Sequence, residues 1–414
     1  MSSAKGRSGS VGPFSREPRG NMTVDKTANH GREVNATGPP LNVLLFLAAA
    51  KVSEPRISSY QRMPNAQVRL IGHVSRSPDA NLVRLRAWRM PYFGAPKRWT
   101  ASLSWFKRLK RLDFGPVDCV MSLELFNPTS LQANHLAKRL GVPHVVTISE
   151  VLYPNPLYII PPWREISRAV SRSGDAFACS VELARQSAIG RGCPPERSVV
   201  INPGIDLDTF SSRVGGLAPD PVVVFVGELR PDKGIRDVLA AAELARRKIP
   251  DLRLLIAGDG PLRREVADHA QRAGFIEYLG KVQRDELPDL YRSARTFILA
   301  PQSRRFWAEQ FGFASVEAMA SGLPVVITDC GAVREVVPGH NPICAQRDVN
   351  ALAEGMILSL GSKGDEWGAL NRKHAEQFYD SRQQARRLRD WLSTLIAENE
   401  PSRNGRRQGF VAGG

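Results

Sequence analysis

Apolar and polar positions along the chain fall into two successive strand–helix series. The first opens on the run LNVLLFLAAA at 41–50, bounded by Pro39 and Pro40. It reads as a buried strand, although periodicity alone fits a helix as well. Short β-rich runs follow at 68–72, 117–121, 144–148, 176–178 and 198–201, with helical patterns at 130–140 and 181–189 between several of them. The second series is more regular. Strand patterns at 221–227, 252–258, 276–280, 296–300 and 324–329 alternate with helical patterns at 235–247, 262–272, 286–293 and 313–322. Two further helical patterns, at 366–379 and 383–396, close the chain, and Trp391, Leu392, Leu395 and Ile396 give the last an apolar stripe that has to dock.

Strands rich in β-branched residues and separated by helices predict parallel sheets covered on both faces. Two series joined near 210–220 (FSSRVGGLAPD) predict an α/β protein of two Rossmann-like domains. The expected division is a first domain at 41–214, a second at 215–370, and closing helices at 371–398, the last packing back on the first domain. Residues 1–40, polar and rich in Gly and Ser, and residues 399–414 read as disordered tails, and Met22 offers an alternative start.

Composition narrows the field. A chain of 414 residues with 42% hydrophobic and 24% charged side chains is ordinary for a globular enzyme. No apolar run reaches the roughly 18 residues that a spanning helix needs, and no secretory signal is recognisable. The five cysteines (Cys119, Cys179, Cys193, Cys330, Cys344) form no CxxC pair, which suits a reducing compartment and gives no zinc site. The seven histidines form no HxH or HxxxH pair, and His144 at a strand start reads as structural. The net charge of +16 is uneven: residues 41–215 hold 23 basic and 12 acidic side chains, net +11, whereas residues 216–370 are net −2. Different partners for the two halves are implied.

Three segments carry candidate chemistry. GELRPDKG at 227–234 lies between a strand and a helix, where free N–H groups and the helix dipole attract anions, and Lys233 adds a point charge for a phosphate. It lacks Walker A spacing and fits an ordinary tight turn with a solvated lysine equally well. GDGPLRRE at 258–265 reads as a structural turn that needs its glycines. EQFGFASVEAMASGLPVV at 309–326 places Glu309 in a loop and Glu317 on the following helix, with Gly312 allowing close backbone approach. Two such carboxylates suit the vicinal diols at the two ends of a nucleotide-sugar, and they also fit two solvated glutamates beside a helix.

These segments in this order resemble the retaining glycosyltransferases of family 4, which have the GT-B fold, two Rossmann-like domains whose parallel sheets face a central cleft. The matching runs are FVGELRPDKG (225–234), LRLLIAGDGP (252–261), YLGKV (278–282), ELPDLYRSA (286–294), 309–326 and GAVREVV (331–337), with SVVINPGIDLDTF (198–210) as the inter-domain segment. The resemblance implies that Gly227, Arg230 and Lys233 meet the donor diphosphate and that Gly280, Lys281 and Val282 line the base pocket. It implies that Glu309 faces the transferred sugar, that Phe311 and Gly312 give backbone N–H groups to sugar or phosphate oxygens, and that Glu317 holds the ribose hydroxyls. Glu309 and Lys233 are then the catalytic pair. No cofactor and no metal is expected, the nucleotide-sugar being a co-substrate. The chain departs from the family pattern at Glu228, where an arginine is usual and Arg230 stands in. It departs again at 48–56, which lacks a Gly-Gly pair, and at Ser149 and Glu150, where many members carry histidine.

One stretch remains. Residues 95–115 hold Lys97, Arg98, Lys107, Arg108, Lys110 and Arg111 against Asp113 alone, interleaved with Trp99, Trp105, Phe106 and Leu109. As an amphipathic helix this suits an anionic membrane surface, and it also fits a helix packed on the sheet. Nucleic acid is not an expected partner, because no recognised binding motif accompanies the charge. The expectation is a metal-independent, retaining transferase, cytoplasmic or peripheral on the inner membrane face, that moves sugar from a nucleotide-sugar to a glycolipid or surface-polysaccharide acceptor. A GT-B phosphorylase, a glucan synthase or an inactive nucleotide-sugar-binding protein are the alternatives.

Overall fold

The computed structural model describes residues 40–47, 57, 60–72, 82–84, 87–89, 104–106, 109 and 112–411. The segments expected to be disordered at 1–39, the glycine-free loop at 48–56, and Lys97, Arg98, Lys107, Arg108, Lys110 and Arg111 lie outside them.

The first lobe contains β1 (Leu41–Phe46), β2 (Ala66–Gly72), β3 (Leu82–Arg84), β4 (Ala87–Arg89), β5 (Ser104–Phe106), β6 (Cys119–Leu123), α1 (Pro128–Leu140), β7 (His144–Ile148), α2 (Trp163–Ser173), β8 (Ala176–Cys179), α3 (Glu182–Gly190) and β9 (Ser198–Val200). Seven strands form a parallel sheet in the order β3-β2-β1-β6-β7-β8-β9. The alternating side chains of β1 feed both faces, as the pleat requires. Leu41, Val43 and Leu45 enter one core, and Leu44 and Phe46 enter the other.

The second lobe contains β10 (Val222–Val226), α4 (Ile235–Arg246), β11 (Arg253–Ala257), α5 (Arg263–Ala273), β12 (Ile276–Gly280), α6 (Leu287–Ser293), β13 (Thr296–Leu299), α7 (Phe313–Ala320), β14 (Val325–Thr328), α8 (Val333–Val336), β15 (Ile343–Cys344), α9 (Val349–Leu360), α10 (Ser362–Phe378) and α11 (Ser381–Val411). Its sheet is also parallel, in the order β12-β11-β10-β13-β14-β15. The fold is the doubly wound α/β architecture expected from the strand–helix alternation.

The chain crosses between the sheets twice, and the crossings lie against each other. Ile205 N donates to Tyr379 O at 2.7 Å, and Ser381 N donates to Ile205 O at 2.9 Å. Gly204 is obligatory there, since a Cβ would stand 2.3 Å from Ser381 Cα. Beyond the return crossing, Ala385, Leu388 and Leu392 of α11 are buried against Leu41, Val43 and Leu45. Burying three such side chains contributes several kcal/mol.

Three local expectations change. Residues 104–106 form strand β5, paired antiparallel with β4, and not part of an amphipathic helix. Phe106 is buried, and its backbone is held on both sides by the Gln132 amide, which accepts from Phe106 N at 2.8 Å and donates to Phe106 O at 2.9 Å. Bonding to the backbone groups of an internal residue is incompatible with a helix there. Helix α2 was not anticipated, because serines and arginines hide the apolar positions Trp163, Ile166 and Val170. Helix α11 continues to Val411 where a disordered tail was expected from 399. Pro401, Gly405 and Gly409 disfavour a helix, so composition alone points away from one here.

Candidate functional site

Strand order reverses between β10 and β13, and the crevice beyond the ends of such strands is where doubly wound sheets place ligands. The loop after β10 is built on glycine. Gly258 has φ +157°, and a Cβ there would lie 1.9 Å from Gly227 O; one on Gly260 would lie 2.6 Å from Leu229 O. Thus GDGP is the platform on which the 227–234 loop rests, as its reading as a structural turn anticipated. Gly234, at φ +69°, leaves no room for a Cβ, which would sit 1.7 Å from Ala300 O. That contact fixes where α4 starts and where Lys233 is aimed.

Lys233 Nζ donates to Glu309 Oε2 at 2.6 Å, joining the ends of β10 and β13 across the switch point. Trp307 lies beneath the ammonium, its ring centroid 4.9 Å from Nζ. Glu309 is 7% exposed, and its carbonyl accepts from Ala332 N at 2.9 Å. Gly312, at φ +76°, then turns the chain into α7. Among the described residues no protein acceptor takes the N–H of Phe311 or Gly312. The Phe311 ring is buried edge-on against Phe313 and Tyr379.

Glu317, on α7, is 3% exposed. Arg284 Nη1 donates to its Oε1 at 2.9 Å, and the Tyr291 hydroxyl donates to Oε2 at 3.3 Å. Burial raises its pKa, and the Arg284 charge opposes that rise. Arg284 belongs to the loop after β12 that begins with Gly280 (φ +68°), exposed Lys281 and half-buried Val282. The structure therefore brings the 280–284 loop beside Glu317, and Lys233 beside Glu309. Arg230 is committed elsewhere: its guanidinium pairs with Asp232 and with Glu228 at 3.2 Å and lies 6.0 Å from the Trp307 centroid. Arg284, Tyr291 and Trp307 are the partners that sequence reasoning missed. The available signal for Arg284 was the need of a buried carboxylate for a cation.

The first lobe offers a different set. Glu124, just past β6, takes φ +63° and accepts Ser149 N on Oε1 at 3.0 Å. Glu150, past β7, accepts Leu152 N at 2.8 Å, and burial, with help from the Glu124 charge, pushes its pKa up to about 7. Arg191 lies 3.8 Å above the Tyr158 ring. His144 is structural, as expected: it bonds Ser122 and Asn134, and burial holds its pKa down near 3.

Comparison with known proteins agrees with this architecture. Two family profiles match end to end, one described as Glycosyltransferase Family 4 over residues 57–209 and one as Glycosyl transferases group 1 over residues 209–373. A D-inositol 3-phosphate glycosyltransferase of Mycobacterium sp. (strain KMS) is 32% identical over 202 residues, which is 43% of this chain and 44% of that protein. An O-antigen chain mannosyltransferase B of Escherichia coli is 31% identical over 159 residues, covering 36% of this chain and 39% of that one. The matched part thus spans less than half the length of these curated relatives. Among solved structures, Anabaena Alr3699/HepE in complex with UDP and glucose superposes with a TM-score of 0.64 at 16% identity, covering 86% of this chain and all of that one, a likeness of fold. With its doubly wound sheets of GT-B type and both profiles laid in order along them, the chain belongs to the family 4, group 1 glycosyltransferases.

Proposed function

We propose that this protein is a retaining glycosyltransferase that takes a sugar from a nucleotide-sugar and passes it to a glycolipid or surface-polysaccharide acceptor at the inner face of a membrane. The observation that carries the reading is the pair of buried carboxylates, Glu309 and Glu317, each held by a cation from a different strand end. The relatives' names, an inositol-phosphate glycosyltransferase and an O-antigen mannosyltransferase, and the UDP held by the Anabaena protein favour the same chemistry.

In this reading the donor nucleotide lies along the second lobe. Glu317 accepts the ribose hydroxyls beside Gly280, Lys281 and Val282, and Gly227 and Lys233 meet the diphosphate. Arg230, already paired with Asp232, contributes at the edge of that site. Without donor, Lys233 and Glu309 neutralise each other. The diphosphate takes over Lys233, and the freed Glu309 turns to the hydroxyls of the sugar. Phe311 and Gly312 aim uncommitted N–H groups at the same oxygens, and α7 adds its dipole. The bond from the anomeric carbon to the phosphate oxygen breaks, and the charge on the leaving diphosphate is stabilised by Lys233 and these amides. The acceptor oxygen bonds to the same face of the anomeric carbon, and its proton passes to the departing phosphate. Lysine and amides supply the positive field, so no metal is required.

Membrane contact draws its support from a different place than the 95–115 stretch. Tyr153, Ile159 and Ile160 are large exposed apolar side chains in one short loop, 58%, 62% and 38% accessible. Helix α2 follows directly and sets Arg164, Arg168 and Arg172 at four-residue intervals, on one side of the helix. Basic side chains beside exposed isoleucines suit an anionic headgroup layer. The test of the reaction is nucleotide release from UDP-, GDP-, ADP- and dTDP-sugars in the presence of EDTA. Release with retained anomeric configuration supports the proposal; no release from any donor contradicts it.

A further inference from the structure

Helix α3 begins without a cap of its own. Val181 precedes it in extended geometry, with φ −150°, and its side chain accepts nothing. Its first N–H groups are satisfied from the other lobe instead: the Glu335 carboxylate accepts Leu183 N on Oε2 at 3.0 Å and Glu182 N on Oε1. A helix N-terminus carries partial positive charge and orphan donors, and a bidentate carboxylate answers both. The neighbouring Glu182 side chain is turned to Arg185 at 3.2 Å.

Glu335 lies on α8, and the turn before α8 is what supports Glu309. Ala332 N donates to the Glu309 carbonyl at 2.9 Å, and Gly331, at φ +61°, is so close that a Cβ would lie 2.1 Å from the same oxygen. At its other end α8 is tied to the crossing between lobes, where the Tyr379 hydroxyl donates to Val336 O at 3.1 Å and Tyr379 O accepts Ile205 N. One four-residue helix and the turn before it therefore touch the first lobe, the crossing and the backbone of Glu309.

We infer that Glu335 is a positioning residue that couples the approach of the two lobes to the placement of Glu309. This rests on the glycosyl-transfer reading. When the lobes part, α3 loses its cap and α8 loses its anchor in the first lobe, and the tight Gly331–Glu309 contact leaves no slack to absorb the change. With the lobes together, the carboxylate that faces the sugar is held in place. Donor binding and lobe approach thus act on the same carboxylate from opposite sides.

The test compares wild type with Glu335→Ala and Glu335→Gln in the full chain, using UDP and GDP as binding probes, UDP-glucose and GDP-mannose as donors, and small-angle scattering for lobe separation. Glu335→Ala is expected to have a larger radius of gyration and to release nucleotide about tenfold more slowly, with nucleotide affinity unchanged. Glu335→Gln, which keeps one acceptor oxygen, is expected to fall between. An unchanged turnover overturns the inference. So does a loss shared equally by turnover, nucleotide affinity and melting temperature, which marks a helix cap and nothing more. If wild type neither binds nor releases nucleotide, the glycosyl-transfer reading fails, and scattering alone decides the bridge: equal radii overturn it and a larger radius in Glu335→Ala upholds it.

Discussion

At the switch point of the second sheet, the ends of β10 and β13 deliver charges of opposite sign, Lys233 and Glu309, 2.6 Å apart. In the first sheet, the ends of the neighbouring strands β6 and β7 deliver two acids, Glu124 and Glu150; Glu150 accepts a backbone N–H, and the Arg191 charge opposes the rise of its pKa. Both lobes hold carboxylates past the ends of parallel strands, and the second sets a cation in direct contact with each of its buried pair, Glu309 and Glu317. In the proposed reading, Lys233 exchanges the Glu309 carboxylate for the incoming diphosphate. The first lobe carries an acid, Glu150, whose pKa burial pushes up to about 7.

The sharpest way to break this contrast is Lys233→Ala. It removes the charge assigned to the leaving diphosphate and strands Glu309 in a buried site. Turnover is expected to fall about a thousandfold, or roughly 4 kcal/mol of barrier. Glu309→Gln added to it should restore melting temperature without restoring turnover, since the stranded anion is gone and the catalytic charge is still missing. Equal turnover in Lys233→Ala and wild type would remove Lys233 from the chemistry.

Glu150→Gln probes the other side of the contrast. In the folded chain this carboxyl titrates near 7, above its ordinary 4.5. The folded state therefore holds the proton more tightly, and the stability that the neutral form provides is complete below about pH 4.5 and lost as pH rises through 7. Glutamine keeps the neutral form at every pH. The variant should match wild type at pH 4 and exceed it at pH 8 by up to about 3 kcal/mol, read from denaturant unfolding. A variant that is less stable at pH 8 would mean that the anion is well supported in the fold.

The smallest effect per side chain is expected at the surface of α2. Replacing Arg164, Arg168 and Arg172 with Gln should weaken flotation with phosphatidylglycerol vesicles by about 1 kcal/mol per side chain and leave turnover of a soluble donor unchanged. Unchanged flotation would take α2 out of the membrane contact.

The strand–helix alternation of the second lobe was legible almost residue by residue, because its strands are buried on both faces and read as unbroken apolar runs such as VVVFV at 222–226. That Lys233 and Glu309 lie past strand ends, and that Glu317 lies on the helix after Glu309, was legible from the strand–helix order, whereas the roles given to them came from the family resemblance. Arg284, Tyr291 and Trp307 were not, because an ion pair across 33 residues or a ring under an ammonium leaves no periodic trace. The first lobe was less readable. Its short strands β3, β4 and β5 have three residues each, and a run such as 95–115 shows helical spacing until Gln132, from α1, claims the backbone of Phe106. The tie from Glu335 to α3 joins positions 152 and 153 residues apart and is visible only in three dimensions.

The central claim, that the second lobe holds a nucleotide through Glu317, is tested most directly by calorimetric titration of UDP and GDP into wild type and Glu317→Ala. Binding of one of them to wild type, weakened about a hundredfold in the variant while its melting temperature stays within the range of other single variants, is the predicted result. Equal affinity in both proteins, or no binding of either nucleotide to wild type, would contradict it.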